Sequence, residues 1–307
     1  MEEDKLYPGI KGTIILFLLG AAVNFFTSVF LLAIIGMIMS ISARIQGEAV
    51  EGLVKGAIEA SIGYVSMGAL IITAVVLLVI TLNKREQIFR YLLLENYHRI
   101  NKKLLLIVAI CAGGLTGFAS GLNHLVFYFF ELPLNNIEMM YQVIHGIQGF
   151  ILALIIAPIF EELIFRGIFL RGLDTHIASW KAVLISSVLF TVLHANTLQI
   201  IPPLLFGLFV GYLYVKFKSI ALCIFAHFAF NVIPYINYQI IEQDELDMVT
   251  EITRGYFIYY LLSTLVFIAG LVILKKYIEN RTLLEIRKEK IKEEAPLETE
   301  ENKKEEV

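Results

Sequence analysis

The stretch Ala157-Pro158-Ile159-Phe160-Glu161-Glu162-Leu163-Ile164-Phe165-Arg166-Gly167 sets two adjacent carboxylates and an arginine inside an apolar run that begins near Ile147. That run is long enough to cross a bilayer. A charged side chain at the centre of a membrane helix costs about 2.5–3.5 kcal/mol on insertion scales, so a cluster of them needs compensation. On a helix, Glu162 and Arg166 stand four residues apart on one face, with the acid N-terminal, the favourable order for an ion pair. Glu161 points about 100° away from that face and is left without this partner. It is the residue to explain.

Working outward, the chain of 307 residues is 58% hydrophobic, with a mean hydropathy of +0.75. Soluble domains are closer to half apolar, so these values indicate a multi-span membrane protein. Eight apolar segments qualify as spans, at about 12–40, 62–82, 104–130, 145–165, 179–196, 200–217, 219–240 and 256–274. The expected fold is therefore all-α: a polytopic bundle of about eight transmembrane helices. It divides into N-terminal helices (1–144, three spans), a core of four spans (145–240), a last span (241–278) and a charged tail (279–307). That tail mixes Lys and Arg with Glu and reads as a frayed helix or a disordered segment. The first span is too long for a signal-peptide core and follows Glu2, Glu3 and Asp4, so it reads as an uncleaved anchor.

Cys111 and Cys223, the two cysteines, lie inside apolar runs and read as small buried hydrophobes, with no disulfide framework or cysteine metal site. No basic patch with interleaved aromatics occurs, so nucleic acid is not an expected partner. Of the 25 Lys and Arg residues, 22 fall on one side of an eight-span topology; the other three are Arg44, Lys55 and Arg254. Positive charge collects on the cytoplasmic side, which places both termini there. Gly113, Gly117 and Gly121 form a small-residue ridge on the third span, and Gly207 and Gly211 another on the sixth; both suit close helix packing. Pro158 removes one hydrogen bond from the fourth span and is expected to bend it. Pro202 and Pro203 open the sixth span, where missing donors matter little.

Three more polar positions interrupt the later spans. His194 ends Phe190-Thr191-Val192-Leu193-His194, and His227 and Asn231 stand one turn apart in His227-Phe228-Ala229-Phe230-Asn231. Counting about 1.5 Å per residue from the cytoplasmic ends puts Glu161 roughly 15 Å deep, His194 roughly 20 Å and His227 about 12 Å. Three helices thus carry an acid and two imidazoles to similar depth. A Glu beside a neutral His can orient a water and take its proton. A second His and an Asn amide can donate hydrogen bonds to an oxyanion. Each residue alone also has a structural reading: an intramembrane His or Asn as an interhelical hydrogen-bond partner, a Glu–Arg pair as a clasp. His98 and His176 fall in cytoplasmic loops and His124 and His145 near the opposite boundary, where they read as structural or solvated. His-Glu-x-x-His does not occur, and the Glu-x-x-His at Glu95-Asn96-Tyr97-His98 falls in a cytoplasmic loop rather than inside a span, so zincin and di-iron arrangements are not expected.

The ordered trio Glu161-Glu162-x-x-x-Arg166, Phe190-x-x-x-His194 and His227-x-x-x-Asn231 resembles the three motifs of the CAAX protease and bacteriocin-processing (CPBP) family. That family includes the Ras-converting type II CAAX prenyl endopeptidase. The likeness covers about 145–235; the first three spans resemble the family only in being apolar. It implies an eight-helix intramembrane endopeptidase with a site open to the cytoplasm. By motif position, Glu161 and His194 would activate water, His227 and Asn231 would stabilise the oxyanion, and Glu162 and Arg166 would be the supporting pair. Family members have been described both as metalloproteases and as metal-free, glutamate-dependent enzymes. Glu161, His194 and His227 can form a zinc-holding set. Direct water activation, with no cofactor required, is the preferred reading, because His227 and Asn231 on one face make a better donor pair than a ligand pair.

The expected substrate is a membrane-associated or lipidated peptide, cleaved within the bilayer; the short loops point to a prokaryotic plasma membrane. Two competing readings keep the same residues: a non-catalytic immunity or scaffold protein, and a proton-coupled transporter, disfavoured by the lack of an inverted repeat. The charge asymmetry gives a direct test of topology. A cysteine introduced as Asn302→Cys should resist a membrane-impermeant thiol reagent in intact cells, whereas Asn136→Cys should react. Labelling at position 302 without lysis would reverse the orientation.

Overall fold

The structure, a computed structural model, describes residues 6–46, 49–82, 100–130, 143–194, 200–240 and 254–301. Within them run eight helices: α1 (Ile10–Gln46), α2 (Val50–Leu82), α3 (Lys102–Phe130), α4 (Gly146–Asp174), α5 (Ser179–His194), α6 (Ile201–Phe217), α7 (Ile220–Ile240) and α8 (Arg254–Glu301). No strand occurs among the described residues. Six of these helices are long and apolar enough to cross a membrane; α5 and α6, of 16 and 17 residues, are shorter apolar helices. The chain is an all-α, polytopic membrane protein, as expected from its composition.

Helix ends depart from the hydropathy segments where a helix outruns the bilayer. α2 starts at Val50 rather than near residue 62, and its added turns carry the exposed Lys55–Glu59 ion pair at 3.8 Å. α8 continues unbroken to Glu301, so 279–301, read from sequence as frayed or disordered, is helical backbone. The reason is cooperative: Glu, Lys and Arg are good helix formers, and a preceding span removes the cost of nucleation. The basic stretch 83–99 with His98, the position Asn136 and the last residues with Asn302 lie outside the described residues.

α1 and α2 pack as a hairpin, and α2 lies against α4. α3 packs along α8 and also meets α6 and α7, while α5 packs on α6 and α4. The helix carrying the acid pair, α4, therefore has α2, α5, α6 and α7 around it. Phe165, Phe169, Phe190, Phe206 and Leu213 fill the space between them and are fully buried. Cys111 and Cys223 are buried free thiols, as their apolar surroundings suggested.

α4 is not a regular helix. π-helical turns at Leu152–Ile156 and Leu163–Leu170 flank the α-helical segment Ala157–Glu162 that carries Pro158 and both glutamates. The effect of Pro158, expected as a single bend, is thus met by a change of hydrogen-bond register. Such π turns recur at functional sites. At its first turn α4 is tied to α7 by Gln239, whose Oε1 accepts from the Gly146 N–H at 2.9 Å and whose Nε2 donates to the Ile144 carbonyl at 3.2 Å. Pro202 and Pro203 occupy the first turn of α6, where a helix has no use for their missing donors.

The ridge on α3 is corrected by one residue. A Cβ on Gly114 would lie 2.6 Å from the Phe267 backbone nitrogen, and one on Gly121 2.8 Å from Tyr260, both on α8. Gly113 looks elsewhere, 3.8 Å from the Ile233 side chain on α7. Residues 113 and 114 both keep helical spacing to Gly117 and Gly121, so spacing alone could not choose between them. On α6, Gly207 and Gly211 face Ser187 and Val183 of α5, the packing role read from sequence. Gly114→Ala should therefore destabilise the protein by about 1–3 kcal/mol through overpacking. Gly113→Ala should be neutral or gain up to about 1 kcal/mol from helix propensity. Thermal unfolding in detergent distinguishes the two.

Candidate active site

The centre of the bundle is built around Glu162, whose carboxylate is fully buried. Its Oε1 accepts from Arg166 Nη1 at 3.0 Å and from His227 Nδ1 at 2.8 Å. The four-residue spacing on α4 thus forms the expected ion pair, and α7 adds a third member that spacing could not show. Arg166, also fully buried, donates from Nη2 to the Gly207 carbonyl of α6 at 3.2 Å. Its guanidinium lies 5.1 Å from the Phe190 ring centre and 5.9 Å from that of Phe206, within cation–π range. One residue pair on α4 is in this way fastened to α5, α6 and α7.

Glu161 faces the other direction, toward both imidazoles. Its Oε2 lies 3.8 Å from His194 Nε2 and 3.8 Å from His227 Nε2. It is buried and has no hydrogen-bond partner among the described residues. At 3.8 Å neither imidazole bonds it directly, the separation being beyond hydrogen-bond length. His194, the last described residue of α5, is oriented by Nδ1, which donates to the Phe190 carbonyl at 2.9 Å, and by ring contact with Phe190 at 4.5 Å. Its side chain is 32% exposed against 16% for Glu161 and 5% for His227, so the site opens on the His194 side.

His227 is held by a neighbouring ring and by a hydrogen bond. The Phe206 ring lies tilted at 4.6 Å, and the bond from Nδ1 to the Glu162 carboxylate fixes the proton on Nδ1 in the neutral ring. Nε2 then meets Glu161 as an acceptor when the ring is neutral and as a donor when it is protonated. Asn231, one turn on, donates from Nδ2 to the Ala153 carbonyl of α4 at 2.9 Å. The amide's second N–H has no other partner among the described residues.

The structure therefore gathers Glu161, Glu162, Arg166, His194 and His227 within one cluster and ties Asn231 to the same helix one turn away. Sequence reasoning missed Phe206, Gly207 and Ala153. Two act through backbone carbonyls, which leave no signature in residue identity, and Phe206 is one aromatic among many. Gly207 carried a packing signal only. The histidines set aside are elsewhere: His176 caps the turn after α4 through Nδ1 to the Gly172 carbonyl at 2.9 Å, and His124 meets the Tyr260 hydroxyl at 2.6 Å. His145 precedes the first turn of α4. Among the described residues no three His, Cys, Asp or Glu groups are arranged to hold a metal ion. Glu161 approaches His194 and His227 pairwise through the same oxygen, at 3.8 Å each.

Comparison with known proteins adds to this geometry. Residues 143–233 match the family described as "Type II CAAX prenyl endopeptidase Rce1-like", the stretch that holds all three motifs and the whole cluster. The chain is also 30% identical over 142 residues to the Bacillus subtilis (strain 168) protein named "Putative membrane peptidase YdiL". That match takes in 45% of this chain and 58% of the Bacillus protein. No solved structure matches significantly. The resemblance read from the motifs is borne out over 143–233.

The site's two acids should separate by stability. Glu162→Gln leaves the buried Arg166 without its counter-charge, and breaking such a pair typically costs about 3–5 kcal/mol. Glu161→Gln removes no hydrogen bond within the described cluster and should leave the unfolding temperature nearly unchanged. Equal destabilisation by both variants would refute the division.

Proposed function

We propose that the protein is an intramembrane endopeptidase that hydrolyses a peptide bond of a membrane-associated or lipidated peptide. The observation that carries this reading is Glu161 Oε2, buried without a direct partner among the described residues and faced by two imidazoles at 3.8 Å each. The family matched over 143–233 and the likeness to the protein named "Putative membrane peptidase YdiL" support it.

In this reading a water admitted beside Glu161 and the two rings gives its proton to the Glu161 carboxylate as its oxygen attacks the peptide carbonyl. His194, oriented from Phe190, positions that water. The oxyanion that forms accepts from Nε2–H of a protonated His227 and from the second N–H of Asn231. Collapse breaks the C–N bond, and the proton held by Glu161 passes to the leaving amine. Glu162 and Arg166 take no part in bond making; they fix the ring of His227 and keep the local charge compensated. No cofactor is required. Orientation follows the charge asymmetry, with both termini cytoplasmic and a multi-pass location in the plasma membrane.

One preparation tests both activity and mechanism. Comparative peptidomics of membranes carrying wild type or Glu161→Gln should yield a cleaved peptide, and purified wild type should cleave it after exhaustive chelation. Loss of a single acid–base catalyst predicts that Glu161→Gln is slower by about 10²–10⁴-fold. Full activity in Glu161→Gln refutes the assignment. Stoichiometric zinc, lost together with activity in His194→Ala, would replace direct water activation by a metal mechanism. No cleavage in any preparation would favour the immunity or scaffold reading.

A further inference from the structure

Proline in a helix removes one N–H, and the carbonyl it would have met needs another donor or stays unsatisfied. In lipid no water supplies that donor, so a neighbouring helix must. At the start of α4 the backbone is in the π register, where the Ala157 N–H donates to the Leu152 carbonyl five residues back. The next N–H in that register would belong to Pro158 and would meet Ala153. Pro158 has none, and the Asn231 amide of α7 stands in its place, Nδ2 donating to the Ala153 carbonyl at 2.9 Å.

The same arrangement recurs one residue away. Pro234 lies inside α7 and, four residues on in the α register, leaves the Phe230 carbonyl without its donor. The Thr116 hydroxyl of α3 donates to that carbonyl at 2.9 Å. Two proline-freed carbonyls thus join three helices, and the two joints meet at the adjacent residues Phe230 and Asn231. A carbonyl only accepts, so the first joint also determines that Nδ2, not Oδ1, of Asn231 faces α4.

We infer that Pro158 is a positioning residue: by leaving the Ala153 carbonyl open to Asn231, it fixes the placement of α4 at Glu161 and the orientation of the Asn231 amide. The joint itself stands on backbone geometry; its catalytic consequence rests on the peptidase reading above. A proline needed only to bend or stop a helix would not couple to Asn231. Pro158→Ala returns an N–H to α4, so the Ala153 carbonyl becomes satisfied within its own helix and Asn231 is released.

The test uses purified full-length protein with a ¹³C label at the Ala153 carbonyl, read by isotope-edited infrared spectroscopy. The labelled band should move to higher frequency in Asn231→Ala and return toward the wild-type position when Pro158→Ala is added. An unmoved band in Asn231→Ala overturns the joint, and this comparison holds even if Pro158→Ala fails to fold. The second arm measures turnover of the peptide found above. Misplacement of the site predicts that Pro158→Ala lowers kcat by about 10²-fold with little change in KM. Coupled residues are non-additive, so the double variant should fall no more than about threefold below the worse single variant. Independent, multiplying effects overturn the role of Pro158. A shifted band in Asn231→Ala alongside a wild type that cleaves nothing would retain the joint and reject the proposed reaction.

Discussion

One carboxylate oxygen, Glu162 Oε1, holds the centre of this bundle together. It takes a hydrogen bond from its own helix through Arg166 and from α7 through His227, while Arg166 reaches on to α6 and lies over the rings of Phe190 and Phe206. Burying these charges gains little net stability, since well-packed apolar side chains often serve as well or better. What the arrangement supplies is geometry. An apolar core would tolerate small rotations of each helix, whereas a two-donor carboxylate with fixed directions does not. His227 inherits its tautomer and its angle from that contact, and Glu161 follows because it is the next residue on the same helix.

The second constraint is the backbone of α4. In each of its two π-helical stretches a side chain from another helix reaches a backbone carbonyl: Asn231 to Ala153, and Ser186 of α5 to Phe165 at 3.0 Å. Irregular backbone persists at membrane depth only where protein surrounds it. α4 meets that condition, with helices on several sides, while α1 and α8 expose most of their apolar surface. The helix with the least regular hydrogen bonding is the one that carries the acid pair.

The course of α5 matters as well. At about 1.5 Å per residue, the 16 described residues of α5 carry His194 roughly 24 Å along the helix from Ser179. His194 meets Glu161 from the last described turn of α5. That placement leaves His194 partly exposed while His227, inside α7, is closed in by Phe206 and Phe190. The two imidazoles approach the same oxygen from a wet side and a dry side.

The sequence alone determined the membrane class, the eight helices and the Glu162–Arg166 pair, because hydropathy and the four-residue repeat act within one segment of chain. It also singled out Glu161, His194, His227 and Asn231, since polar groups in apolar spans are costly enough to stand out. Only the tertiary structure decided that His227 bonds Glu162, that both imidazoles face one oxygen of Glu161, and that Asn231 meets Ala153. It also decided between Gly113 and Gly114, and it carried α8 past the end of its apolar segment. The reason is the same in each case. Which helix lies beside which, at what rotation and height, depends on contacts between residues far apart in the chain, and a periodic pattern specifies a face without naming its partner.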